Sequence, residues 1–186
     1  MRVGRLAAMV LFLALGVALA TAEPRPSAAA SALEIDAEVA AALARFDQEV
    51  PAGRALLAKA KGVLVFPKVI KAGFGIGGEY GEGALRIGGH SVGYYNTVSA
   101  SIGLQIGAQS RAELILFMTD EALAAFRGSD GWEVGVDGSV ALVSVGVAGE
   151  IDTHTINDPV IGFIFGEQGL MANLSLEGAK ISELDR

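Results

Sequence analysis

From residue 31 to residue 50 the apolar positions recur at helical spacing. Leu33, Val39, Leu43, Phe46 and Val50 fall broadly on one side of an Ala-rich segment, and Ser31-Ala-Leu-Glu34 at its start is a capping box. Pro51 and Gly53 end this helix, and a second, short one is predicted from Arg54 to about Ala60, stopping at Gly62. There the period falls to two. Residues 62–67 (GVLVFP) read as a buried strand, and along 72–80 Phe74, Ile76, Gly78 and Tyr80 alternate with Gly73, Gly75 and Gly77. Gly88-Gly89 is a tight turn into residues 91–109, a stretch long enough for one bent strand or two. The apolar run at 113–118 (ELILFM) predicts a further strand, followed by a helix capped by Thr119 and ending near Gly128. Strand character returns at 132–151 and a polar loop follows at 152–159. Residues 161–181 predict a hairpin turning at Glu167-Gln168-Gly169, then a last short strand. The order predicts an α+β fold: a predominantly antiparallel sheet or barrel-like core with two N-terminal helices and one inserted helix, the helices lying at one end.

The glycines in KAGFGIGGEYGEGALRI (71–87) raise a chemical question. Gly73-x-Gly75-x-x-Gly78 matches the dinucleotide-binding pattern, which works only where a helix opens at the glycines and aims its N–H groups at a pyrophosphate. Here Gly81, Gly83, Gly88, Gly89 and Gly93 follow, and each glycine inside a helix costs about 1 kcal/mol against alanine, so no helix is expected. In a strand, glycines at i, i+2 and i+4 make one face without side chains. Such a face suits tight curvature or the close approach of another backbone, or it leaves a bare groove for a ligand. In the groove reading, Gly73, Gly75 and Gly77 would be joined by Tyr94 and Tyr95.

Composition narrows the class. The chain has 186 residues, 52% hydrophobic, enough for one domain with a sizeable core. Residues 1–22 have the pattern of a signal peptide: Arg2 and Arg5, an uncharged run from Leu6 to Leu19, then Ala20-Thr21-Ala22 before Glu23. This predicts Sec-type export to the bacterial periplasm, with residues 23–30 as a linker and 31–186 as a single domain. Without Arg2 and Arg5, 12 basic residues face 21 acidic ones, a charge of −9. That balance argues against nucleic acid as a partner. The charge is uneven, however. From Pro51 to Gly78 there are five basic residues, Arg54, Lys59, Lys61, Lys68 and Lys71, and no acidic one.

Catalytic chemistry finds little to use. There is no cysteine, and His90 and His154 are the only histidines. His90 sits in a Gly-Gly-His-Ser turn and His154 in the polar loop beside Asp152, without the further ligands a zinc site needs or a G-x-S-x-G elbow. Glu79 and Glu82 read as solvated residues flanking a glycine turn, and Asp120 and Glu121 as first-turn residues complementing a helix dipole. Tyr94, Tyr95 and Trp132 read as core or cross-strand residues. No enzyme activity, cofactor or metal is expected. A membrane-spanning barrel is disfavoured because VLVF and LILFM are apolar on both faces.

The segments at 60–87 (AKGVLVFPKVIKAGFGIGGEYGEGALRI) and 92–126 (VGYYNTVSASIGLQIGAQSRAELILFMTDEALAAF) resemble the SYLF domain family. The likeness continues through 131–146 (GWEVGVDGSVALVSVG) and 158–181 (DPVIGFIFGEQGLMANLSLEGAKI), covering roughly residues 50–182. The resemblance implies a non-enzymatic phospholipid-binding domain. Eukaryotic members recognise phosphoinositides and a fungal branch is described as actin-binding, whereas an exported chain meets no actin. Eukaryotic members also use a basic amphipathic amino-terminal segment. The first helix here carries Glu34, Asp36, Glu38, Asp47 and Glu49 against Arg45 alone, so the expected contact with an anionic phospholipid or membrane surface shifts to Arg54, Lys59, Lys61, Lys68 and Lys71. The sequence names no protein partner.

Overall fold

Helix α1 (Ala32–Glu49) begins where the capping box places it. In the computed structural model, which describes residues 30–144, 157–169, 176 and 178–186, Ser31 Oγ accepts from Glu34 N at 3.3 Å. Glu34 Oε2 accepts from Ser31 N at 2.7 Å. Two orphan N–H groups are satisfied, and these bonds to Ser31 hold the Glu34 carboxyl below its usual range. The buried stripe is Ile35, Val39, Ala42 and Phe46, at i, i+4, i+7 and i+11. It differs from the predicted face at its start: from Val39 and Phe46 the helical period reaches back to Ile35, leaving Leu33 exposed and Leu43 half-buried. One 3-10 turn (Pro51–Gly53) leads to α2 (Arg54–Leu57), shorter than the predicted stretch to Ala60.

Two strands dominate the sheet, β1 (Gly62–Ile87) and β2 (His90–Phe117). They form one antiparallel hairpin, with Gly62 opposite Phe117 and Ile87 opposite His90. Gly88 and Gly89 close it at φ of 58° and 85°, the left-handed pair that a two-residue turn requires. The stretches 62–67 and 72–80, read separately from the sequence, belong to the one strand β1. Pro67 falls in the register shift between Phe66 and Val69, and among the described residues β1 pairs with β2 alone, so its missing N–H interrupts no second ladder there.

A straight strand of 26 residues would run roughly 85 Å at about 3.3 Å per residue. β1 instead folds back on itself at Gly73–Gly77. A methyl group added to Gly73 would lie 2.6 Å from Gly77 Cα and 2.9 Å from Ile76 O. The ladder slips here too, from Phe74 opposite Ile106 to Ile76 opposite Ile102. Beyond the bend the arms nearly touch: a methyl on Gly81 would meet Lys68 O at 2.9 Å, and one on Gly83 would collide with the Val65 carbonyl. The bare face is therefore closed by its own strand.

The remaining strands attach along the other edge of β2. β5 (Val160–Gly169) pairs with residues 109–117 and β6 (Lys180–Leu184) with residues 94–98. β3 (Trp132–Glu133) lies outside β6, and β4 (Ala141–Ser144) lies outside β5. Among the described residues these strand pairs are antiparallel except β4 with β5, which is parallel. The predicted strand at 132–151 is thus two short strands parted by turns, with 145–151 outside the described residues. β5 runs on through Glu167 and Gln168, where a turn was predicted.

Alternation along these strands splits the core in two. Leu64, Phe66, Ile115, Phe117 and Ile164 point into the inner cluster with Leu123 and Phe126 of α3 (Asp120–Arg127) and Trp132. Val65, Leu114, Leu116, Ile161, Phe163 and Phe165 face α1. The helices thus cover opposite faces of the sheet and are not gathered at one end. Strands apolar on both faces demand this arrangement, since each face must be covered.

Candidate functional site

The five predicted cations do not share one environment. Arg54 is exposed and pairs with Asp47, its Nη2 also donating to Asp47 O at 2.7 Å. Lys61 is exposed, 3.5 Å from Asp120 Oδ2. Lys59 and Lys68 are exposed and, among the described residues, make no ion pair. Lys71 is different. It points inward, its side chain 6% exposed, with Nζ 2.7 Å from Glu79 Oε1. It is a structural cation and presents nothing to a headgroup.

Strand parity explains the division. Lys71, Gly73, Gly77, Glu79, Gly81 and Gly83 take the inward face of β1, and Lys68, Ile70, Phe74, Ile76 and Tyr80 the outward one. The bend carries Lys71 back to Glu79, eight residues on, across the concave side. Glu79 Oε2 accepts from Arg111 Nη2 at 2.7 Å, and Arg111 Nε donates to Glu113 Oε1 at 2.8 Å. All four side chains are buried. Two cations balance two carboxylates in a continuous clasp between the arms. Burial pushes the Glu113 carboxyl above its ordinary value, opposed by the charge and hydrogen bond of Arg111. Sequence reading missed this cluster. Arg111 and Glu113 sit two apart in a strand and so share a face, and Glu79 was expected to be solvated at a glycine turn. Gly81 is instead mid-strand, and Glu82 is half-buried, accepting from Tyr80 OH at 2.6 Å and from Arg186 Nη2 at 3.1 Å.

The groove reading fails on the same alternation. Tyr94 and Tyr95 are adjacent in β2 and point to opposite faces. Tyr94 OH donates to Asp36 Oδ2 at 3.0 Å, tying α1 to the hairpin, while Tyr95 lies in the inner core with its ring 5.1 Å from that of Phe126. They pair with Ala84 and Gly83, far along β1 from Gly73, Gly75 and Gly77. The dinucleotide pattern lies wholly within β1, with no helix at its end. His90 is exposed at the first position of β2, whereas Asp152 and His154 lie outside the described residues. Asp120 and Glu121 open α3 as expected, and Thr119 Oγ1 accepts from Ala122 N at 3.1 Å.

The outward face of the bend carries the unexpected feature. Phe74 is 81% exposed and Ile76 is 71% exposed, with Ile70, Tyr80 and, on β2, Val98 also open to solvent. Tyr80 and Val98 are cross-strand partners. A strand normally buries its large apolar face. Here the inside of a sharp bend has room only for glycines and the ion clasp, so the large side chains are forced outward.

No curated protein matches the chain. Residues 98–186, which take in β2 from Val98 onward, α3 and β3 to β6, match the model of the family described as Ysc84, Las17-binding protein actin regulator. The match takes in just under half of the chain, which over those residues is similar to that family.

Proposed function

We propose that the protein is a non-enzymatic phospholipid-binding module of the bacterial periplasm, meeting anionic headgroups through its exposed cations. The observation that carries this is the placement of Arg54, Lys59, Lys61 and Lys68 at the surface of a segment, 51–78, without a single carboxylate, in a chain of net charge −7. Lys59 and Lys68 contribute most, being exposed and unpaired among the described residues, while Arg54 and Lys61 share their charge with Asp47 and Asp120. Las17 binding and actin regulation belong to the family description, and an exported chain would meet neither. The association with lipids is the part of the family's chemistry that suits this surface.

Each Lys or Arg near an anionic bilayer contributes about 1 kcal/mol, screened beyond about one Debye length. Neutralising two such residues therefore weakens partitioning roughly 30-fold, and reversing them weakens it further. Co-sedimentation with phosphatidylglycerol vesicles tests this. Lys59→Glu/Lys68→Glu should lose most binding, and Lys71→Met should lose little if the fold holds. Undiminished binding by the double reversal would sink the proposal.

A further inference from the structure

Resting on the lipid reading above, we infer that the outer face of the β1–β2 bend is the part of the protein that enters the membrane. Phe74 and Ile76 form the inserting pair, Ile70, Tyr80 and Val98 the surrounding apolar surface, and Lys68 the headgroup contact at its margin. The orientation of this face is not free to change. Slipping a strand by one residue exchanges its faces, and here that would expel Lys71 and Glu79 from their 2.7 Å contact and drive Phe74 into the space left by Gly73 and Gly77. The buried clasp thus pins the apolar residues on the outside.

Charge and shape select the occupant. From Lys68 to Tyr80 the outward positions of β1 are Lys68, Ile70, Ala72, Phe74, Ile76, Gly78 and Tyr80, and no carboxylate stands among them although the chain has 21. Opposite them on β2, Val98, Ala100, Ala108 and Ser110 add none. An apolar surface with Lys68 at its edge, and with Glu82 beside Tyr80 neutralised by Arg186 at 3.1 Å, matches the boundary between anionic headgroups and acyl chains. The face is also the outside of a bend, hence convex. A second copy or another folded protein would have to cover about 800 Å² per partner with complementary shape, which a protruding corner does not supply. A fluid bilayer closes around such a corner without a matching groove.

Phe74→Trp places a reporter at the tip, read against the parent protein, whose Trp132 is buried in the inner core. With phosphatidylglycerol vesicles, the introduced indole should shift to shorter wavelength and be quenched by lipids brominated high in the acyl chain. Phe74→Ser/Ile76→Ser should keep the native melting temperature, since both side chains are exposed, and partition roughly tenfold or more weakly. Binding by the parent with a solvent-like, unquenched indole would overturn the insertion while leaving the headgroup reading intact. Absence of binding by every form would overturn both. A dimer in sedimentation velocity that Phe74→Ser/Ile76→Ser dissolves would also overturn it, assigning the face to self-association.

Discussion

Glu79→Gln is the sharpest probe of the bent hairpin. The substitution keeps the volume of the side chain, removes its charge and turns one of its two acceptor oxygens into an N–H donor. Glu79 is the shared partner of two buried cations, Lys71 at 2.7 Å and Arg111 at 2.7 Å, whose side chains are 6% and 1% exposed. After the change, Lys71 and Arg111 face Glu113 alone, and the buried cluster carries a net positive charge. Removing one partner from a buried ionic group typically costs about 3–5 kcal/mol, because the remaining charge stays desolvated. For a domain of this size about 1 kcal/mol moves the melting temperature by roughly 2–4 °C, so a fall of roughly 6–20 °C is expected. Lys71→Met/Glu79→Gln restores charge balance, leaving Arg111 with Glu113 at 2.8 Å, and should recover most of the loss. Thermal unfolding followed by circular dichroism measures all three proteins. A Glu79→Gln midpoint within about 2 °C of the parent, or a double variant no better than the single, would refute the clasp.

Gly83→Ala should destabilise by about 1–3 kcal/mol or more, since its methyl meets the Val65 carbonyl. Gly78→Ala on the open face, with only Ser99 O at 3.9 Å, should change the melting temperature little. Equal effects in a urea titration would rule out the closed bend. Burial, partly offset by Arg111, raises the folded-state pKa of Glu113 above 4.5. The folded chain therefore holds this proton more tightly than the unfolded chain. Its contribution to stability is full below about pH 4.5 and is lost as pH rises through the folded value. Glu113→Gln should flatten that part of the profile of melting temperature against pH, and an unchanged profile would contradict the assignment.

Much of the fold is legible in the residues because local signals act alone there. Ser31 with Glu34, Thr119, and Gly88-Gly89 each set a boundary through one or two hydrogen bonds or a positive φ. The antiparallel hairpin follows from the turn and the period of two. What the residues do not disclose is which face of β1 lies inside. Ordinary hydrophobic logic would bury Phe74 and Ile76, and only the bend reverses it, by leaving no volume beside Gly73 and Gly77. The bend depends on contacts between positions far apart, Lys71 with Glu79 and Arg111, Gly83 with Val65, which no short window contains. The cation site was half legible for the same reason. Composition marks 51–78 as basic, but parity assigns Lys68 to the surface and Lys71 to the clasp.

The most direct measurement is the partition coefficient of the native protein on phosphatidylglycerol and on phosphatidylcholine vesicles, at low and at high salt. An anionic surface met by cations and an apolar corner predicts strong binding to phosphatidylglycerol that falls, without vanishing, as salt screens the charges, and weak binding to phosphatidylcholine. Equal partitioning on the two lipids, or none on either, would contradict the account.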